Sequence, residues 1–239
     1  YNLCEELKVM GFQTTGVASH YFAVDAQKVT PLPEDMSFDE GAMIEPLAVA
    51  VHAIRQAGDV AGLKIAVLGA GPIGILVAQA AKGMGAQSVI VTDISDVRLA
   101  KAKECGADYC VNTKNTDFGD AMLEYFGPDK ADVIYDCAGN DITMGQAIKY
   151  ARKGSTIILV AVFASMAKVD LAVLNDHELD LNTTMIADYG FTQTYTPDTV
   201  WSDGSAKIDS DMREIYDLVY DGLGIVDMIV MAPDVADAM

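Results

Sequence analysis

Six consecutive residues, Gly69-Ala70-Gly71-Pro72-Ile73-Gly74, carry the clearest chemistry in the chain, lying between the apolar run KIAVL and a stretch with helical character. At a strand–turn–helix junction each glycine of this spacing has its own task. The first permits a tight turn, the second lets a diphosphate approach the backbone, and the third lets helix and strand pack closely. The helix start offers unpaired amides and the positive end of a dipole, and Pro72 suits the first helical turn because its missing N–H would have had no partner. Asp93 ends the next apolar run, nineteen residues after Gly74, where a carboxylate can accept hydrogen bonds from an adenosine ribose. A 2′-phosphate would face that carboxylate, so the pattern favours NAD; Arg98, on the following helix, is within reach of the ribose or the adenine face. The competing reading, glycines that merely close a turn in a sheet protein that binds nothing, does not account for the full strand, turn, helix, strand, acid order.

Two other chemistries of nucleotide folds fit less well. A methyltransferase loop usually reads G-x-G-x-G, but position 73 is Ile; a short-chain reductase sets Tyr four residues before Lys, but Tyr150 and Lys153 are three apart.

From residue 64 onward the sequence alternates Val- and Ile-rich runs with helical stretches, the pattern of parallel strands joined by crossover helices. Strands are predicted at 64–69, 88–93, 108–112, 132–137 and 155–162, and helices at 72–85, 96–105, 118–126 and 142–152. Strands this uniformly apolar are covered on both faces, which is the doubly wound α/β arrangement. Ahead of this unit, residues 36–57 read as a helix or broken helix, with Ser37 and Glu40 spaced for a capping box. SHYFAV and KVTPLP look β-like. Beyond residue 162 the signal weakens, with LNTTMIADYGF as a strand pair, DMREIYDLVYDGL as a helix and VDMIVMAP as a strand.

The 239 residues are 51% hydrophobic and carry 35 acidic against 16 basic side chains, a formal charge of −19. That composition supports a buried core and makes nucleic acid and anionic membranes poor partners. No apolar stretch reaches the roughly 20 residues of a bilayer span. Four cysteines without close spacing point to a reducing, cytoplasmic setting. The opening residues, without an initiator Met, read as the middle of a loop.

Several segments together resemble the zinc-type medium-chain alcohol and polyol dehydrogenases: YNLCEELKVMG, GVASHYFAVDAQKVTPLPEDMSFDEGAMIEPLAVAVHA, VLGAGPIGILVAQAAKGMGA, VTDISDVRLAKAKECGAD and DVIYDCAGN. The resemblance implies a Rossmann sheet with remnants of a β-rich GroES-like catalytic domain. It divides the chain into a catalytic-domain remnant and linker at 1–45, the NAD-binding domain at 46–195 and the end of the sheet at 196–239. It implies hydride transfer between NAD and a secondary alcohol or polyol, with zinc in the complete protein as Lewis acid. Glu45 then belongs to the catalytic zinc shell, against the alternative of a helix-start carboxylate facing the dipole. Cys4 is an orphan ligand of a structural zinc site. Cys137, Ala138, Ala161, Val162 and Phe163 line the cofactor, although core packing suffices to explain the Cys137 thiol.

The family's Gly-His-Glu motif is absent from this sequence. Its histidines, 20, 52 and 177, read as a strand-surface residue, a helix-packing residue and a loop residue. The expectation is a chain that binds cofactor without turnover, with a non-catalytic NAD-binding module and a zinc-independent reductase as rivals. Homo-oligomerisation, dimer or tetramer, is implied through a sheet edge at 185–230, and residues 192–209 look like an inserted surface loop.

Overall fold

Short β-branched runs bounded by turn formers become strands because their side chains pack on both faces of a pleated surface. In the computed structural model, which describes residues 6–183, these runs form one parallel sheet. Its strands are β1 (Lys64–Leu68), β2 (Ser88–Asp93), β3 (Tyr109–Asn112), β4 (Val133–Asp136), β5 (Thr156–Leu159) and β6 (Asp180–Thr183), in the spatial order β3-β2-β1-β4-β5-β6. Helices α1 (Phe38–Gln56), α2 (Pro72–Gly83), α3 (Asp96–Glu104), α4 (Phe118–Phe126), α5 (Asp141–Tyr150) and α6 (Leu171–Asp176) lie between and beside them.

Alternation along the strands separates two apolar layers. Ile65 and Val67 of β1 face Leu76, Val77 and Ala80 of α2 together with Ala50 and Ile54 of α1. Ala66 and Leu68 face the opposite way, toward Phe118 and Met122 of α4 and Met144 and Ile148 of α5. The sheet is therefore doubly wound, as its apolar strands predict. The chain leaves β1 toward β2 and β3, then crosses to β4 on the other side, so the order reverses between β1 and β4. Register sets the strand ends level there: Leu68 is opposite both Thr92 and Asp136, and Asp136 is opposite Leu159.

The α1 helix runs unbroken through Pro46, and its capping box is present, with Ser37 and Glu40 satisfying each other's backbone amides. Fully buried Tyr135 of β4 donates its hydroxyl to the Ile54 carbonyl at 3.3 Å, tying α1 to the sheet.

Three expectations are corrected. SHYFAV and KVTPLP are not strands; between them lies a single 3-10 turn at Ala26–Lys28, and no described strand pairs with either segment. His20 is exposed on irregular backbone, not on a strand surface. The fifth strand stops at Leu159 rather than 162: the Val160 amide makes the last ladder bond to the Asp136 carbonyl at 2.9 Å, and the Ala161 amide turns back to that same carbonyl at 3.0 Å instead of continuing the ladder. Helix α6, capped by Asp170, was not anticipated; none of its six residues is buried, so it carries little periodic signal. Cys4, the 192–209 segment, the 185–230 edge and the readings beyond residue 183 lie outside the described residues.

Candidate cofactor site

The β1–α2 turn is built by glycines that answer to different constraints. Gly69 has φ +103°, and a Cβ there would come within 3.2 Å of Ala138 across the sheet's reversal point. A Cβ on Gly74 would collide with the Gly69 carbonyl oxygen. Gly71 is unlike both: its φ of −72° suits any residue, and a Cβ would meet nothing within 4 Å. Nothing inside the described protein requires glycine at 71.

The open space beside Gly71 faces the start of α2, and this residue supplies no side-chain cap to its amides. Each of α1, α3, α4 and α5 carries an acidic residue in its first turn; α2 has none. In a chain of charge −19, this leaves the positive end of the α2 dipole unopposed by carboxylates of its own first turn, the electrostatics an anion needs.

Asp93 is only 8% exposed, and its carboxylate is largely engaged. One oxygen accepts from the amides of Ile94 and Ser95 at 2.8 and 2.9 Å, and the other accepts from the Ala70 amide at 2.8 Å. A carboxylate has about four acceptor positions, so room for a ribose hydroxyl persists. The bond to Ala70 also fixes the glycine turn to the tip of β2, a role that spacing alone did not disclose. Arg98, with a well-exposed side chain, sits 3.8 Å from the same carboxylate.

Across the reversal point, the β4 tip forms the opposite wall. The Cys137 amide donates to the Leu68 carbonyl at 2.9 Å, which holds the Cys137–Ala138 backbone against Gly69. Gly139, at φ +67°, approaches Ala161 and Val162 so closely that a Cβ would stand 2.7 Å from the Ala161 Cβ. The structure thus brings Gly69, Cys137, Ala138, Ala161 and Val162 to one end of the sheet, with Phe163 packed partly into the α4–α5 layer. Burial, with Asp136 beside it, pushes the Cys137 thiol upward, so the sulfur stays protonated and is no nucleophile. Burial likewise raises the Cys105 and Cys110 thiols.

Glu45 is half-buried on α1, two turns beyond the helix start. Asp39 and Glu40 occupy the first turn, where the dipole acts, so the helix-start alternative for Glu45 fails. Among the described residues no group of three or more His, Cys, Asp or Glu side chains could hold a metal ion, so these residues do not by themselves fit a zinc ion.

A family model described as zinc-binding dehydrogenase matches residues 72–201, over half of the chain. The chain belongs to the zinc-binding dehydrogenase family. Sorbitol dehydrogenase of Bos taurus is 38% identical over 168 residues, which are 70% of this chain and 47% of the relative. The crystal structure of 2R,3R-butanediol dehydrogenase from Bacillus subtilis matches with a TM-score of 0.74 at 28% identity, covering 91% of this chain and 58% of that one. A short chain alcohol dehydrogenase from E. coli CFT073, solved in complex with NADH, matches with a TM-score of 0.72 at 30% identity over 78% of this chain and 55% of its own. The chain spans about half the length of the curated relatives it matches. The likeness to zinc-type alcohol and polyol dehydrogenases read from its sequence therefore holds. No described helix is long and apolar enough to cross a membrane.

Asp136, Gly139 and Thr143 were not singled out in the sequence. The available signal was an aspartate closing β4 as Asp93 closes β2, followed by a glycine in a tight strand–helix turn.

Proposed function

We propose that this chain binds NAD across the β1–β4 reversal point and serves as the cofactor half of an oxidoreductase moving hydride between NAD and a secondary alcohol or polyol. The observation that carries the reading is the open space at Gly71. Gly69 and Gly74 are required by the fold itself, whereas Gly71 faces space at an uncapped helix start. The diphosphate lies there, with the adenosine ribose at Asp93 beside Arg98 and the nicotinamide toward Cys137, Ala138, Ala161, Val162 and Phe163. The buried carboxylate of Asp93 selects NAD over NADP, because a 2′-phosphate would meet a second anion. Polyol substrates are supported by the sorbitol and butanediol dehydrogenases among its relatives. Glu45 would join the catalytic zinc shell and Cys4 a structural zinc site, each completed by donors outside the described residues.

The test is Gly71→Val. Its backbone angles accept a side chain and its Cβ clashes with nothing, so the variant should melt within a few degrees of the parent. Calorimetry should find its NAD affinity reduced at least about tenfold, since the valine methyls fill the approach to the α2 amides. Undiminished NAD binding by the variant would sink the proposal. Polyol oxidation by this chain alone would instead overturn the zinc roles assigned to Glu45 and Cys4.

A further inference from the structure

The cofactor reading leaves Asp136 unused, although it is fully buried and both its carboxylate and its backbone carbonyl are hydrogen-bonded at the tip of β4. Its carboxylate accepts from the amides of Ala138 and Gly139, both at 3.0 Å, through one oxygen. The other oxygen lies 3.1 Å from the Thr143 hydroxyl on α5. Its backbone carbonyl accepts from Val160 and Ala161 at 2.9 and 3.0 Å. A single residue therefore sets both the turn after β4 and the chain leaving β5, and Gly139 locks one onto the other against Ala161 and Val162.

We infer that Asp136 is the positioning residue for the nicotinamide half of the cofactor, acting through the Cys137–Ala138 and Ala161–Val162 backbones and not on the adenosine half. The inference rests on the NAD reading above. Asp93 and Asp136 divide the labour by strand: Asp93 ties the glycine turn to β2 through Ala70, and Asp136 ties the opposite wall to α5 and β5. The hydrogen bonds of the Asp136 carboxylate and carbonyl run to the β4 turn, α5 and the end of β5, so its loss should leave the diphosphate and ribose contacts standing.

ADP-ribose, which keeps the adenosine and diphosphate but lacks nicotinamide, separates the two halves. Calorimetric titration of the full chain with NADH and with ADP-ribose is expected to show that Asp136→Ala weakens NADH roughly tenfold and ADP-ribose less than about twofold. Asp136→Asn keeps an acceptor for the Ala138 and Gly139 amides and turns a donor toward Thr143, and it should recover most of the lost NADH affinity. Gly139→Ala should reproduce the NADH-selective loss from the other side, by forcing the β4 turn off Ala161, and it covers the case in which Asp136→Ala does not fold. Equal losses for both ligands, or no loss of NADH affinity in any folded variant, would overturn the inference. A parent chain that binds neither ligand would overturn the cofactor reading itself, which the variants cannot do.

Discussion

Gly74 lies under the Gly69 carbonyl oxygen with no room for a methyl group, while Gly71 three residues earlier faces open space, so one motif holds glycines of opposite purpose. Gly74→Ala should therefore fail where Gly71→Val succeeds: overpacking at this rigid junction is expected to cost about 1–3 kcal/mol, read as a lower urea midpoint with an unchanged slope. A Gly74→Ala chain as stable as the parent would mean that the turn can shift, and the argument from Gly71 would lose its contrast. The glycine pattern and Asp93 were legible because their meaning is local, a fixed spacing at a strand–helix junction. Asp136 was less so, because only part of its setting is local: Thr143 is seven positions on, but Val160 and Ala161 are brought to it by the crossover through α5. The link from Asp93 to Ala70 spans twenty-three positions and escaped notice for the same reason.

Helix α1 shows what an element can hide behind a correct outline. Its capping box and span were readable from Ser37, Glu40 and the apolar period that follows, and the last turns bury His52 among apolar neighbours. Burial, then the nearby Arg55 charge, holds His52 below its ordinary value of 6.5. An unfolded chain accepts that proton first as pH falls, so the stability owed to neutral His52 is complete above the ordinary value, declines beneath it, and is gone once pH passes the folded value. Between about pH 7.5 and pH 5.5 the parent's melting temperature should fall more steeply than that of His52→Gln; parallel curves in a thermal scan would show that the imidazole takes up its proton as readily in the fold as in the unfolded chain. Strand β2 and helix α4 match their predicted bounds because pattern and packing agree. Strand β5 ends early because the Ala161 amide doubles back to the Asp136 carbonyl that Val160 already uses, a turn invisible in a one-dimensional pattern. SHYFAV has strand-like residues but no described partner, and a strand without a ladder is only extended chain.

At the scale of the molecule, the alternation of apolar runs and helices dictated a doubly wound sheet, and the switch in strand order placed the cleft. The same sequence carries a formal charge of −19, which has a kinetic consequence there. A dinucleotide with two phosphates must approach through a repulsive field before it reaches the α2 amides, whose attraction is short-ranged and largely shielded from solvent ions. At an ionic strength of about 0.01 M the screening length is about 30 Å and the whole chain repels the ligand; at about 0.15 M it is about 8 Å and only nearby groups are felt. Stopped-flow association of NADH should therefore accelerate several-fold across that range, the reverse of a cationic binding site, with the dissociation rate nearly constant. A falling association rate would mean that Arg98 and the helix end dominate at long range and that the acidic surface is turned away from the cleft.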